Sequence, residues 1–173
     1  MPIRSLHQGA PGPCPSPPTI PAMATEQHIL AVASAGGHFQ QLMRLRPAFE
    51  GQRVTYMTTL AGLGAQFGAE PQITVPDCNA DTPLAILRCA ALIGARMVRL
   101  RPDVVITTGA LPGLIAILCG RMVGARTLWV DSVANAETLS ASGRMARRMA
   151  HLTLSQWPDV AARTGTSCKG SVL

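Results

Sequence analysis

At 173 residues, 47% hydrophobic but only 3% aromatic, the chain is long enough for one domain with a sizeable aliphatic core. The scarcity of aromatic rings argues against binding of single-stranded nucleic acid, and five cysteines without a CxxC pair argue against a disulfide framework or a cysteine metal site. The formal net charge of +6 comes almost entirely from arginine, which suits anionic membranes or phosphorylated substrates but also follows from a genome that favours arginine.

The first 25 residues differ from the rest of the chain in composition. Seven prolines and two glycines fall between Pro2 and Pro21, and no apolar run there has the length of a signal peptide. We expect residues 1–25 to be a disordered, Pro-rich extension and residues 26–173 to form a single domain. Met23 is a candidate start residue, in which case residues 1–22 are not translated.

Apolar runs alternate with helical patterns from residue 28 onward. The predicted strands are 28–33, 53–58, 72–75, 103–107, 126–130 and 152–155. The predicted helices are 39–48, 83–100, 112–123, 143–150 and 157–163. Short strands without strict alternation are typical of a buried parallel sheet, so this order predicts an α/β, doubly wound, Rossmann-like fold. We expect no membrane span, because a turn and a proline interrupt the longest charge-free stretch.

The first strand runs into the turn Ser34-Ala35-Gly36-Gly37-His38, where a helix begins. Such a turn aims backbone N–H groups at a ligand beyond the carboxyl end of the strand. Ser34, Gly36 and Gly37 are therefore candidates for a pyrophosphate site, and His38 is a candidate general base or phosphate contact. The turn is not GxGxxG, and no acidic residue closes the next strand to hold a ribose, which disfavours a dinucleotide site. A tight turn that simply starts a helix is the alternative.

Two later turns are expected to open on the same edge of the sheet. Thr107-Thr108-Gly109-Ala110 again links a strand to a helix, and two helix N-termini at one crevice suit a diphosphate. After the strand 126–130, Asp131 is a candidate to orient a hydroxyl or to hold His38. The polar residues that complete the predicted substrate site are Ser132, Asn135 and Glu137. Each turn also has a plainer interpretation as a chain connection, a helix cap or a solvated loop.

Arginines cluster on two predicted helices. Arg144, Arg147 and Arg148 share one face of a short helix, and four more, at positions 88, 96, 99 and 101, lie on or beside the helix 83–100. A solvated face is the common explanation, but apolar residues between these arginines leave a membrane-facing or partner-facing patch open. Pro83 suits the first turn of the long helix, with Asp81 or Thr82 as its cap.

Five blocks of the sequence, taken in order, are similar to those of one known family. They are SAGGHFQQL at 34–42, RPDVVITTGA at 101–110, LSASGR at 139–144, AHLTLSQWPD at 150–159 and KGSVL at 169–173. They resemble the oligosaccharide-biosynthesis glycosyltransferase subunit family. That family includes the membrane-recruiting subunit of the eukaryotic dolichol-linked N-acetylglucosaminyltransferase and bacterial capsule and exopolysaccharide counterparts. The resemblance covers residues 28–173.

The resemblance implies a GT-B glycosyltransferase that is split in two. This chain would be the N-terminal, acceptor-side half, whose glycine-rich loop and histidine face a lipid diphosphate, and a partner subunit would bind the UDP-sugar. It would be a hexosyltransferase subunit that is active only as a heteromer, and we expect neither a cofactor nor a metal. The implied partner interface comprises Trp157, Lys169, Gly170, Val172 and Leu173. Many relatives carry Glu-Ser and an arginine where this chain has Asp131-Ser132 and Asn135.

Three functions are open at this point, none of which involves nucleic acid. The first is transfer of a sugar from a partner-bound UDP-sugar to a polyprenyl-diphosphate-linked glycan, in polysaccharide or lipid-linked oligosaccharide biosynthesis. The chain would then act as a peripheral protein at the cytoplasmic face of the inner membrane. The second is a non-catalytic scaffold that recruits a soluble glycosyltransferase to the membrane. The third, with the poorest support, is a stand-alone nucleotide-binding oxidoreductase.

Overall fold

The structure, a computed structural model, describes residues 25–79 and 81–172. The predictions made for the N-terminal extension, for Met23 and for Leu173 lie outside these residues. The strands are β1 (His28–Val32), β2 (Arg53–Thr58), β3 (Gln72–Thr74), β4 (Val104–Thr107), β5 (Arg126–Val130) and β6 (Leu152–Leu154). The helices are α1 (Gly37–Arg44), α2 (Leu63–Gln66), α3 (Pro83–Leu100), α4 (Leu111–Met122), α5 (Ala141–Met149) and α6 (Pro158–Thr164).

The strands form one parallel sheet in the order β3-β2-β1-β4-β5-β6. In its register, Ala31 of β1 lies between Tyr56 of β2 and Ile106 of β4. Because the strand order reverses between β1 and β4, the loops that follow these two strands flank the crevice where doubly wound sheets bind ligands. The predicted α/β, doubly wound fold is confirmed.

The core has two layers, one on each face of the sheet. Leu30 and Val32 of β1 pack on the side that α3 and α4 cover, whereas Ile29 and Ala31 pack on the side that α1 covers. This alternation follows from the two-residue period of a strand, and it explains why β1 is buried along its whole length and apolar from Ile29 to Val32. The core is largely aliphatic, as the composition predicts, although Trp129 is fully buried beneath α4 and α5.

Two local predictions need correction, and one short helix was not predicted. The predicted helix 39–48 is interrupted: α1 ends at Arg44, and a 3-10 helix, Arg46–Phe49, follows it. Pro47 has no N–H to continue the α-helix, and its ring would clash with the carbonyl group four residues earlier. The four-residue α2 was not predicted, because it is too short to show a helical period. Thr82 does precede α3, but its hydroxyl bonds to Asn79 instead of capping the helix.

Within the described residues, no helix combines the length and the apolar character that crossing a bilayer requires.

Candidate functional site

The turn after β1 presents backbone N–H groups at the carboxyl edge of the sheet. Gly36 has φ +83°, a left-handed conformation that favours glycine, and both Gly36 and Gly37 are exposed. α1 begins at Gly37 without a side-chain cap, so the N–H groups of its first turn lack a side-chain acceptor. The Ala35 N–H, by contrast, donates to Thr59 Oγ1 at 3.0 Å, which fixes the turn to the end of β2. This arrangement suits an anion.

His38 stands in the first turn of α1, half-buried against the turn that follows β4. Its Nδ1 lies 3.0 Å from the carbonyl oxygen of Thr108, and the Thr108 hydroxyl donates to the carbonyl of His38 at 2.7 Å. Since a carbonyl oxygen only accepts, we assign the ring proton to Nδ1, which leaves the lone pair on Nε2. Nε2 is therefore the acceptor atom of the ring.

Gly109 explains why the His38 ring can approach the β4 turn so closely. Its φ is +124°, and a Cβ at this position would lie 2.8 Å from Cε1 and 2.9 Å from Nδ1 of His38. A side chain at residue 109 would therefore displace the imidazole. These contacts confirm the expectation that the turns after β1 and β4 open on the same edge.

Asp131 organises the loop that follows β5. Its carboxylate is buried, and Oδ1 accepts from Trp129 Nε1 at 3.0 Å and from Ser140 Oγ at 2.6 Å. Oδ2 accepts from the Ser140 N–H at 3.0 Å and from Asn135 Nδ2 at 3.1 Å. These four donors fold the loop 131–140 around the carboxylate. The structure thus corrects the prediction that Asp131 holds His38, since Thr108 orients the imidazole and Asp131 orients the loop.

Two buried glutamines that the sequence analysis missed join this loop to its neighbours. Gln41 and Gln156 both donate from Nε2 to the carbonyl of Asp131, at 3.1 and 2.9 Å. Gln41 Oε1 also accepts from the Val133 N–H at 3.3 Å. Because Gln41 is three residues after His38 on α1, it ties the helix of the candidate base to the β5 loop. For Gln41, the sequence signal that could have indicated this role was a polar residue among the buried positions of an amphipathic helix.

The other predicted substrate-site residues differ in exposure. Ser34 and Thr108 are buried, Ser132 and Asn135 are half-buried, and Glu137 is exposed. The Ser132 hydroxyl and the Asn135 amide both bond within the loop after β5. Glu137 presents its side chain on the surface, while its carbonyl accepts from an arginine of α6. Among the described residues, no cluster of histidine, cysteine or carboxylate side chains has the composition of a metal site.

Two of the predicted partner-interface residues connect to the loop after β5, Trp157 directly and Val172 through Gln156. Trp157 Nε1 donates to the carbonyl of Val133 at 2.7 Å, and the Val172 N–H donates to Gln156 Oε1 at 2.9 Å. Lys169, Gly170 and Val172 also help to line an apolar cavity of about 420 Å³. The sheet side of that cavity consists of aliphatic residues from four strands, namely Ile29, Ile106, Leu128, Val130 and Leu154.

Sequence comparison links the chain to a glycosyltransferase subunit. No family model matches it. It is similar to the UDP-N-acetylglucosamine transferase subunit ALG14 of Eremothecium gossypii. The two sequences are 25% identical over an alignment that covers 79% of this chain and 75% of the relative.

Solved structures show the same fold. MurG of Acinetobacter baumannii superposes with a TM-score of 0.64 and 17% identity, over 78% of this chain and 43% of that chain. UDP-N-acetylglucosamine 2-epimerase of Rickettsia bellii gives a TM-score of 0.63 and 7% identity, over 86% and 46%. The chain spans less than half the length of these structures, and its architecture is that of the N-terminal half of a GT-B enzyme. With the ALG14 relative, this fold confirms the predicted resemblance of the chain to the glycosyltransferase subunits that include ALG14.

Proposed function

We propose that the chain is the acceptor-binding subunit of a two-component glycosyltransferase. A partner subunit binds a UDP-sugar, and this chain binds a polyprenyl-diphosphate-linked glycan in polysaccharide or lipid-linked oligosaccharide biosynthesis. The family and the half-length of the fold support this division, because one Rossmann-like half cannot enclose a donor and an acceptor together. A polyprenyl acceptor places the reaction at a membrane, at the cytoplasmic face of the inner membrane in this proposal.

The observation that carries the proposal is the position of His38 beside the uncapped start of α1. The acceptor diphosphate binds the N–H groups of Gly36, Gly37 and the first turn of α1, where the helix dipole favours negative charge. His38 Nε2 then accepts the proton of the acceptor hydroxyl as the hydroxyl oxygen attacks the anomeric carbon of the sugar. The bond from that carbon to the UDP oxygen breaks, and UDP leaves on the partner subunit.

The remaining residues position these groups. Thr108 and Gly109 set the orientation of the imidazole, and Asp131 shapes the loop that forms the third wall of the crevice. In this proposal Ser34, together with three polar residues of the loop after β5, lines the path of the acceptor. Those three residues are Ser132, Asn135 and Glu137.

The partner subunit docks on the C-terminal segment in the same proposal. The contacts that the family resemblance implies are Trp157, Lys169, Gly170, Val172 and Leu173. Support comes from the apolar cavity beside Lys169, Gly170 and Val172, whose aliphatic lining suits a hydrophobic contact. The bonds of Trp157 and Val172 connect this docking segment to the loop after β5.

Replacement of His38 tests the assignment. In the reconstituted pair, His38→Ala is expected to lower sugar transfer about 100-fold or more, the range of a lost general base, without a change in melting temperature beyond a few degrees. His151→Ala is the matched control, because this exposed histidine precedes β6 at the opposite edge of the sheet. If the His38→Ala pair transferred sugar as fast as the wild type, His38 would have no role in the mechanism.

A further inference from the structure

The segment 169–172 is hydrogen-bonded both to helix α1 and to the stretch after β6. The carbonyl of Val172 accepts from Arg44 Nη1 of α1 at 2.8 Å. The Val172 N–H donates to Gln156 Oε1 at 2.9 Å, and the Ser171 hydroxyl donates to the same oxygen at 3.4 Å. Both polar groups of the Val172 backbone are therefore used to connect the segment to other parts of the fold.

Gln156 extends these bonds into a closed ring that returns to α1. Its side chain is 5% exposed, and its Nε2 donates to the carbonyl of Asp131, which also accepts from Gln41 of α1. The ring therefore leaves α1 at Arg44 and returns to it at Gln41. The orientation of the Gln156 amide is fixed, because a flipped amide would place Oε1 against the Asp131 carbonyl and Nε2 against the Val172 N–H.

Helix α1 depends on bonds of this kind for its position. It has only eight residues, and a helix of that length is not stable without contacts to the rest of the fold. Its last turn carries Gln41 and Arg44, and its first turn carries Gly37 and His38. Because eight residues span only about two helical turns, the helix moves as one body, and a displacement of its last turn reaches the first.

A small cavity brings the segment 169–172 and the turn after β1 together. Its volume is about 170 Å³, and its lining includes Gly37, Gln40 and Arg44 of α1 as well as Val172. Val172 therefore borders the same space as Gly37, whose N–H group is proposed to bind the acceptor diphosphate. A shift of the segment changes both the shape of this space and the anchor of α1.

We propose that Gln156 is a positioning residue through which the segment 169–172 holds the turn at Gly36 and Gly37 in its binding conformation. The inference rests on the proposed function, in which the acceptor diphosphate binds this turn and the partner subunit docks on the C-terminal segment. By thermodynamic linkage, a partner that fixes the segment strengthens acceptor binding, and bound acceptor strengthens assembly by the same factor.

Two variants break the ring at different bonds, and their first readout needs neither acceptor nor partner. Gln156→Leu removes both bonds of the buried amide, and Arg44→Met removes the bond to the Val172 carbonyl. In the free full chain, each should speed amide hydrogen exchange at Gln40, whose N–H donates to the Gly36 carbonyl at 3.1 Å, at least about tenfold. Arg44 is exposed, so Arg44→Met should fold even if Gln156→Leu does not, and Arg44→Lys, which keeps a donor, should restore the wild-type rate.

Titration with farnesyl diphosphate measures the effect on the proposed acceptor site. Each variant should raise the dissociation constant at least about fivefold, and the double variant no further than the larger single effect, because both break one ring. Additive losses would overturn the coupling, since they would show that Arg44 contacts the diphosphate directly. In the reconstituted pair, the wild type should bind farnesyl diphosphate at least about threefold more tightly than the free chain does. An equal gain by Gln156→Leu would also overturn the coupling.

Matched controls break similar bonds elsewhere in the fold. Arg46→Met removes an exposed arginine whose Nη1 donates to the Phe67 carbonyl at 2.6 Å. Gln52→Leu removes a half-buried glutamine whose Oε1 accepts from the Gln27 N–H at 2.7 Å, at the amino edge of the sheet. Both should stay within about twofold of the wild type in exchange and in binding, and the proposal fails if the ring variants behave like these controls. A wild type without affinity for farnesyl diphosphate would contradict the proposed function instead, whereas the exchange rates decide the coupling without a ligand.

Discussion

At the scale of single residues, the site depends on a close fit between the His38 ring and the backbone of Gly109. The imidazole occupies the space in which a side chain at position 109 would lie. The turn also requires φ +124° at this residue, which L-amino acids rarely adopt. A glycine that looks like a routine turn residue therefore has a steric role in placing the candidate base.

Replacing Gly109 with alanine should impair both stability and transfer. The positive φ and the contact with His38 should cost about 1–3 kcal/mol of unfolding free energy, and displacement of the ring should reduce transfer at least tenfold. Gly124→Ala is the control, because Gly124 has φ +84° but nothing within 4 Å of the added methyl group. It should lose stability without losing transfer. Equal transfer by the two variants, corrected for folded fraction, would contradict the role assigned to Gly109.

His28, at the other end of β1, should make the protein less stable in mild acid. It is buried, and its Nε2 bonds to Thr55 Oγ1 at 2.9 Å. Burial, with a smaller effect of the Arg53 charge, lowers the pKa of His28 below its ordinary value of 6.5. The unfolded chain therefore binds a proton more readily than the folded chain, and the free energy of unfolding should fall as the pH drops below 6.5. Urea unfolding at pH 7.5 and 5.5 measures this loss, and His28→Gln should reduce it; an unchanged pH dependence in that variant would contradict the prediction.

At the scale of elements, the loop 131–140 is held by one carboxylate. Asp131→Ala removes the acceptor of four hydrogen bonds and leaves the buried Trp129 N–H without a partner. The expected loss of unfolding free energy is about 2–3 kcal/mol, measured by urea denaturation. The same change at Asp159, an exposed residue in the first turn of α6, should cost less than about 1 kcal/mol. Comparable losses for the two variants would show that the loop does not depend on Asp131.

Strands and long helices could be predicted from the sequence because their signals are local. The predicted bounds of β2, β5 and α3 match the structure, and Pro102 separates α3 from β4. Gln41, Gln156 and the Thr108 carbonyl could not be assigned in this way. Their roles depend on hydrogen bonds to residues between 25 and 90 positions away, which only the folded chain brings together.

At the scale of the whole molecule, the parallel sheet determines where the candidate acceptor site lies. Its carboxyl edge collects the three loops of the candidate acceptor site, and α3, α4 and α5 cover one of its faces. In a chain with the architecture of one GT-B half, this arrangement supports the function proposed above, in which the chain receives a membrane-bound acceptor and takes its donor from a second chain.

Titration of the full chain with farnesyl diphosphate, followed through backbone amide NMR signals, tests the central claim most directly. The account predicts saturable shifts at Gly36, Gly37 and His38, weakened by competition with inorganic pyrophosphate, in the absence of any partner subunit. The account would be contradicted if the amide signals of this turn stayed fixed while farnesyl diphosphate reached millimolar concentration. If the chain then also assembled tightly with a glycosyltransferase, it would be identified as a scaffold.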